Sequence, residues 1–170
     1  MSIAIRAAEP EDWPTIVDFN CRLAEESEGK MLDRAHVEPG VKRLLADPRR
    51  GRYFLAVMRE GEQTAETGSG VLKGHEIIVG QLMHTFEWSD WRNGDIWWLQ
   101  SVYVHPDFRR QGVFRALFEH LRTEAQADPG VVGLRLYVEQ ENKRAHATYE
   151  KLGFESGDYF VMQHMLRRQV

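Results

Sequence analysis

The segment Ile96-Trp97-Trp98-Leu99-Gln100-Ser101-Val102-Tyr103-Val104 is a nearly continuous apolar run. A strand with one wet face would alternate apolar and polar residues, so this run predicts a strand covered on both sides. Eight residues later a different period begins. Phe114, Leu117, Phe118, Leu121 and Ala125 fall on one face of a helix predicted over Gly112–Gln126, which Asp128-Pro129-Gly130 stops. Between the two lies the turn Arg109-Arg110-Gln111-Gly112. A buried strand feeding an amphipathic helix through a glycine turn calls for a layered fold.

The flanking sequence supplies the layers. Ile3–Ala7 reads as a strand. Pro10 and Pro14 sit near a helix start, and Trp13, Ile16, Val17, Asn20, Cys21 and Ala24 follow with helical spacing. That helix is expected to end in the polar loop 25–30. A second helix is expected over Arg34–Ala46, with Asp33 as its N-cap and Pro48 as its stop. Strands are predicted over Tyr53–Met58 and Glu76–Trp88, joined through the glycine-bearing stretch 60–74, with Asn93-Gly94 as the next hairpin signal. Val131–Val138 reads as a strand, Asn142–Leu152 as a helix closed by Gly153, and Tyr159–Leu166 as a last strand. The order implies an α/β or α+β fold with helices packed on a largely antiparallel sheet. No repeat or linker divides it, so residues 1–170 are expected to form a single domain.

Composition excludes several classes. The net charge of −4 argues against a protein that tracks nucleic-acid phosphates. One cysteine, Cys21, allows no internal disulfide and has no nucleophile motif around it. The N-terminus lacks a basic head followed by an apolar run, and no apolar stretch approaches the roughly 18 residues of a membrane span, so a cytoplasmic location is expected. The seven histidines show no ligand spacing, so no metal is expected.

The turn before the long helix carries the chemistry. The first N–H groups of a helix have no internal partners and the helix dipole is positive there. With Arg109 and Arg110 beside them, and a glycine that lets a ligand come close, they suit a pyrophosphate. Neither G-x-G-x-x-G nor a Walker loop is present. The segment instead resembles the pyrophosphate loop [Q/R]-x-x-G-x-[G/A] of the GNAT superfamily of acyl-CoA-dependent N-acyltransferases. Arg109, Gly112 and Phe114 take the three defined places, and Phe114 departs from the usual Gly or Ala. A ring there must either point into the core or narrow the loop. A second block, Tyr137 to Phe154, resembles that family's N-x-x-A-x-x-x-Y helix followed by G-F. Asn142 and Tyr149 share one face of it, seven positions apart. Read without the resemblance, Asn142 is a good N-cap and Tyr149 a core tyrosine.

The resemblance implies a mixed, mostly antiparallel sheet of about six to seven strands, splayed at the central strands and flanked by about four helices. It implies an enzyme that moves an acetyl group from acetyl-CoA to the primary amine of a small-molecule or peptide acceptor by direct attack in a ternary complex. Backbone groups of Val102, Tyr103 and Val104 would hold the pantetheine arm and the thioester carbonyl. Arg109, Arg110, Gln111, Gly112, Val113, Phe114 and Arg115 would form the pyrophosphate loop. Asn142 would bond the arm, and Tyr149 would lie near the sulfur as general acid. Glu87 ends the strand before the central one and is the first choice of base, with Asp95 and Gln100 as rivals, the latter only to position water. Trp88, Trp91, Trp97 and Trp98 serve either core and hairpin packing or an acceptor wall. Glu25, Glu26 and Glu28 are either a solvated face or an attractor of a cationic amine. A non-catalytic acyl-CoA-binding or regulatory module on the same fold is the alternative. The oligomeric state, a homodimer included, stays open.

Overall fold

A computed structural model describes residues 2–59, 76–138, 140–157 and 161–166 of the chain. It contains β1 (Ile3–Ala7), a 3₁₀ turn (Pro10–Asp12), α1 (Trp13–Glu28), α2 (Arg34–Ala46), β2 (Arg52–Arg59), β3 (Glu76–Ser89) and β4 (Gly94–Val104). A second 3₁₀ turn (Pro106–Phe108), α3 (Val113–Ala127), β5 (Val131–Leu136) and α4 (Lys143–Lys151) follow. The strands form one sheet in the order β1-β2-β3-β4-β5. The first three pairings are antiparallel. β5 starts beside the start of β4: the Asp95 N–H donates to the Gly130 carbonyl at 2.8 Å, and a side chain at Gly94 would strike Val132. Arg135, farther along β5, lies over Trp98, farther along β4. The two strands therefore run the same way, which makes the sheet mixed.

Helices cover both faces. On one, Ile16 and Val17 of α1 and Val41 of α2 pack against Tyr53, Leu55, Val57 and Met83. On the other, α3 buries Val113, Leu117, Phe118, Leu121 and Ala125, and its His120 meets Phe54 edge-on at 4.7 Å. β2 shows why two layers are needed. Tyr53 through Met58 are all buried, so both sets of alternating side chains have left water.

Several boundaries differ from the sequence expectation. α1 does not give way to loop at Glu25 but runs to Glu28, where Gly29 at φ +63° ends it. Acidic residues on the exposed face of a helix need no loop to be solvated. The β3–β4 hairpin closes through Asp90–Asn93, with Asn93 at φ +49° and Gly94 already paired with Ser89. β5 ends at Leu136 rather than Val138. The described residues contain five strands, not six to seven. Residues 161–166 are irregular, although a strand was expected there, and the beginning of that strand at Tyr159 lies outside the described residues. Val161-Met162 and Met165-Leu166 come as apolar doublets, which do not follow the two-residue period of a half-buried strand. The glycine-bearing stretch 60–74 also lies outside the described residues.

The chain divides into two compact units, Met1–Arg135 and Leu136–Val170. In the second, α4 is capped at both ends. The Asn142 side chain accepts from the Ala145 N–H at 3.0 Å. Gly153 at φ +90° turns the chain so that the Phe154 N–H returns to the Tyr149 carbonyl at 3.0 Å.

Candidate active site

In the first unit the site grows from the end of β4. Between Met83↔Gln100 and Gln81↔Tyr103 the register slips, so β4 carries one residue more than β3 over this stretch. The extra length is absorbed at Ser101, whose φ of +46° is left-handed. Such a bulge bends a strand and re-aims the groups that follow it. Here those groups are Val102, Tyr103 and Val104, where the resemblance expects an arm and a thioester carbonyl to be held.

The next turn prepares an anion site. His105, just past the end of β4, caps the 3₁₀ turn, its Nδ1 accepting from the Asp107 N–H at 3.4 Å. Arg110 at φ +64° and Gly112 at φ +84° place left-handed residues on either side of Gln111. Gln111 Nε2 donates to the Asp107 carbonyl at 3.0 Å, bracing the loop. A Cβ on Gly112 would meet nothing within 4 Å. Glycine is required there by the backbone angle and not by crowding. Val113, Phe114 and Arg115 open α3, so their N–H groups face out of the helix start with no carbonyl in the preceding turn to receive them. Exposed donors on a positive helix end, an open glycine and flanking arginines make a donor set that fits a pyrophosphate. Phe114 is partly buried and its ring lies 6.4 Å from that of Phe118, one turn along the helix.

Gly80 lets α3 come this close. A Cβ there would stand 3.0 Å from both the Tyr103 carbonyl and Val113.

The side chains of Tyr103 and Arg109 do something spacing did not reveal. The Tyr103 hydroxyl donates to Glu26 Oε1 at 2.9 Å, and its ring packs on Phe19 at 5.0 Å. Arg109 Nε donates to the Val104 carbonyl at 2.9 Å, while its Nη2 pairs with the other Glu26 oxygen. Burial works to raise the Glu26 carboxyl, but the hydrogen bonds from Arg109 and Tyr103 outweigh it and hold the group below its usual range. Burial and then Glu26 push the Tyr103 hydroxyl up. Glu26 is therefore a half-exposed carboxylate already engaged by Tyr103 and Arg109. It ties α1 to the end of β4.

Glu87 also has partners. Both of its oxygens lie near Arg135 Nη1, at 3.0 and 3.1 Å, and Trp98 Nε1 donates to Oε2. The Arg135 guanidinium lies 5.1 Å from the Trp98 ring centroid. This row crosses β3, β4 and β5 on one face and is about two-fifths exposed at both charged groups. Gln100 donates to Thr85 at 2.7 Å, and Asp95 lies at the other end of β4 near the hairpin. Trp97 is core, stacked on His84 at 4.2 Å, whereas Trp88 and Trp91 are exposed around the hairpin. The four tryptophans thus do not form one wall. An isolated Arg135 in the apolar run Val131–Leu136 was a readable signal that a carboxylate awaited it.

In the second unit, Tyr149 is partly buried, edge-on to Phe154 at 5.8 Å, and burial raises its hydroxyl above the ordinary value of 10.0. Asn142 carries the N-cap bond expected from sequence alone. Among the described residues no cluster of three metal-ligating side chains occurs, and no helix is long and apolar enough to cross a membrane.

Comparison with known proteins fits this geometry. The family model described as Acetyltransferase (GNAT) family matches residues 22–154, spanning both units. The bovine thialysine N-epsilon-acetyltransferase is 36% identical over 76 residues, 45% of this chain and 44% of that protein. The Escherichia coli K12 [ribosomal protein bS18]-alanine N-acetyltransferase is 48% identical over 56 residues, 33% of this chain and 37% of that protein. The chain thus spans less than half the length of these curated relatives. A solved structure described as a possible acetyltransferase from Clostridium difficile 630 superposes with a TM-score of 0.82 at 41% identity, covering 99% of this chain and 100% of that one.

Proposed function

The chain belongs to the acetyltransferase (GNAT) family, and we propose that it transfers the acetyl group of acetyl-CoA to a primary amine of a small molecule or peptide in the cytoplasm. The observation that carries this reading is the bulged end of β4 running into the Arg110–Gly112 turn and the open N-terminus of α3. That arrangement offers strand-edge groups to an extended arm and, one turn later, N–H donors to a pyrophosphate.

The transfer needs a neutral amine nitrogen, which attacks the thioester carbon. A C–N bond forms, the C–S bond breaks, the nitrogen gives up a proton and the thiolate takes one. Backbone N–H near Val104 would stabilise the oxyanion. Tyr149 is assigned as the acid, on its place in the N-x-x-A-x-x-x-Y helix; a tyrosine hydroxyl carries its proton at neutral pH and can give it to the thiolate. Asn142 is assigned to the arm. Glu87 is assigned as the base, accepting the amine proton directly or through water. Arg135 and Trp98 fix the orientation of its carboxylate. The two named relatives act on amines of different kinds, a side-chain amine in one and an alanine of a ribosomal protein in the other, which supports the amine class and no finer choice.

The test is thiol release from acetyl-CoA across a panel of polyamines, aminoglycosides, amino acids and peptide N-termini. Release with at least one amine above background is expected. Tight acetyl-CoA binding without release from any amine would instead support the non-catalytic binding module.

A further inference from the structure

Beneath the β4 bulge lies a buried polar cluster. Gln81 of β3 is fully buried. Its Nε2 donates to the Ser101 carbonyl at 3.2 Å and to Asn20 Oδ1 of α1 at 2.8 Å. Asn20 Nδ2 in turn donates to the Tyr53 hydroxyl of β2 at 3.0 Å, and that hydroxyl also meets Ser101. α1, β2 and β3 are thus linked to the β4 residue with left-handed φ.

A bulge takes a residue out of the ladder, so the Ser101 carbonyl needs a donor from elsewhere. Gln81 Nε2 supplies it. A carbonyl can only accept, so this bond also fixes which way the amide faces. The remaining atom, Gln81 Oε1, is buried without a hydrogen-bond partner among the described residues. A side chain that leaves an acceptor orphaned is a poor choice for packing alone, since an apolar residue of the same length would avoid the penalty. What Gln81 offers beyond packing is its two Nε2 bonds, to Asn20 and to Ser101, and the second of these reaches the bulge. Its own Cα partner is Tyr103, the middle residue of the stretch the bulge re-aims.

We infer that Gln81 is the positioning residue of the thioester site. By anchoring the Ser101 carbonyl it fixes the bulge and so aims the backbone groups of Val102, Tyr103 and Val104. The inference rests on the proposed use of acetyl-CoA.

Gln81→Met keeps the length of the side chain and removes both polar atoms. The variant loses the Asn20 bond in either case, so stability does not discriminate; if Gln81 does not position the bulge, acetyl-CoA binds as before. If it does, acetyl-CoA binding measured by calorimetry weakens about three- to tenfold, the effect of losing the bond to Ser101. The KM for the amine found in the panel screen then stays within about twofold, because the bulge acts on the thioester and not on the acceptor. Adding Ser101→Gly is expected to restore part of the affinity, since glycine adopts the left-handed angle without restraint. Equal affinity in Gln81→Met and the unaltered protein would overturn the inference. So would a loss that Ser101→Gly does not reduce and that raises the amine KM equally, which is general loosening. If Gln81→Met does not fold, Gln81→Asn, whose amide stops one methylene short of Ser101, makes the same test. Failure of the unaltered protein to bind acetyl-CoA would be a separate result, directed at the proposed function itself.

Discussion

His84 is fully buried on β3, stacked on Trp97 at 4.2 Å and on Phe54 at 5.9 Å, with Phe86 edge-on at 5.1 Å. Among the described residues neither ring nitrogen has a hydrogen-bond partner. Burial, with a smaller contribution from the Arg52 charge, lowers its pKa from 6.5 to about 4. The folded protein therefore keeps this imidazole neutral at pH values where the unfolded chain protonates it. Since the unfolded state binds more protons between those two values, stability must fall as pH drops through 6.5 and level off below about 4. The shift corresponds to about 3 kcal/mol over the whole window, of which about 2 kcal/mol is lost between pH 7 and 5. His84→Leu removes the titrating group and both orphaned nitrogens while keeping an apolar volume. Urea unfolding at pH 7, 6 and 5, analysed for midpoint and slope, measures the difference. The variant is expected to lose less stability than the unaltered protein over this range, by about 2 kcal/mol. The carboxyls of Asp12, Asp47 and Glu26 are held below their usual range and contribute to acid sensitivity at lower pH, and they are common to both proteins. Two stability curves that stay parallel from pH 7 to 5 would refute the reasoning, as would an NMR titration of His84 near 6.5 in the folded state.

Substitutions at three further positions probe the site. Tyr149→Phe is expected to lower kcat by about a hundredfold or more while acetyl-CoA affinity measured by calorimetry changes little; equal turnover would remove Tyr149 from the acid role. Glu87→Gln is expected to abolish the acidic limb of the kcat/KM pH profile, and a variant that retains that limb would move the base to Asp95 or to a water held by Gln100. Arg109→Gln is expected to keep acetyl-CoA affinity within about threefold, whereas Arg109→Met, which cannot bond the Val104 carbonyl, weakens it further. Identical losses in the two Arg109 variants would show that charge, not the bond, is what matters there.

What could be read from the sequence was what the backbone decides locally. The stripe of α3, the Asp33 cap of α2 and the glycines at 112 and 153 follow from period, capping chemistry and left-handed angles, each set within one or two turns of chain. The same applies to the backbone path of the loop, where a left-handed glycine precedes the first residue of α3. The pairings Glu26–Arg109, Glu87–Arg135 and Asn20–Gln81 are of another kind, with partners 83, 48 and 61 residues apart. No spacing rule brings such residues together; only the sheet order and the helix crossing do. Their one local trace was a polar residue inside an apolar run, Gln81 in β3 and Arg135 in β5. Residues 161–166 are irregular for the opposite reason: their apolar residues come as doublets without the two-residue period of a half-buried strand.

The Glu26–Arg109 pair also changes how the loop motif is understood. From sequence, Arg109 looked like charge for a phosphate. In the structure that charge faces the Glu26 carboxylate, and the guanidinium makes its backbone bond to the Val104 carbonyl, the last residue of β4. The loop pattern accepts glutamine as well as arginine at this position, and a neutral side chain there cannot supply a field. Both side chains can donate to a carbonyl. The common task of the position is then to lock the exit of β4 onto the turn, so that the bulged strand and the start of α3 keep a fixed offset. A phosphate bound as proposed would be held by the N–H groups that open α3 and by the dipole behind them, which are backbone features and do not depend on the side chain at Phe114.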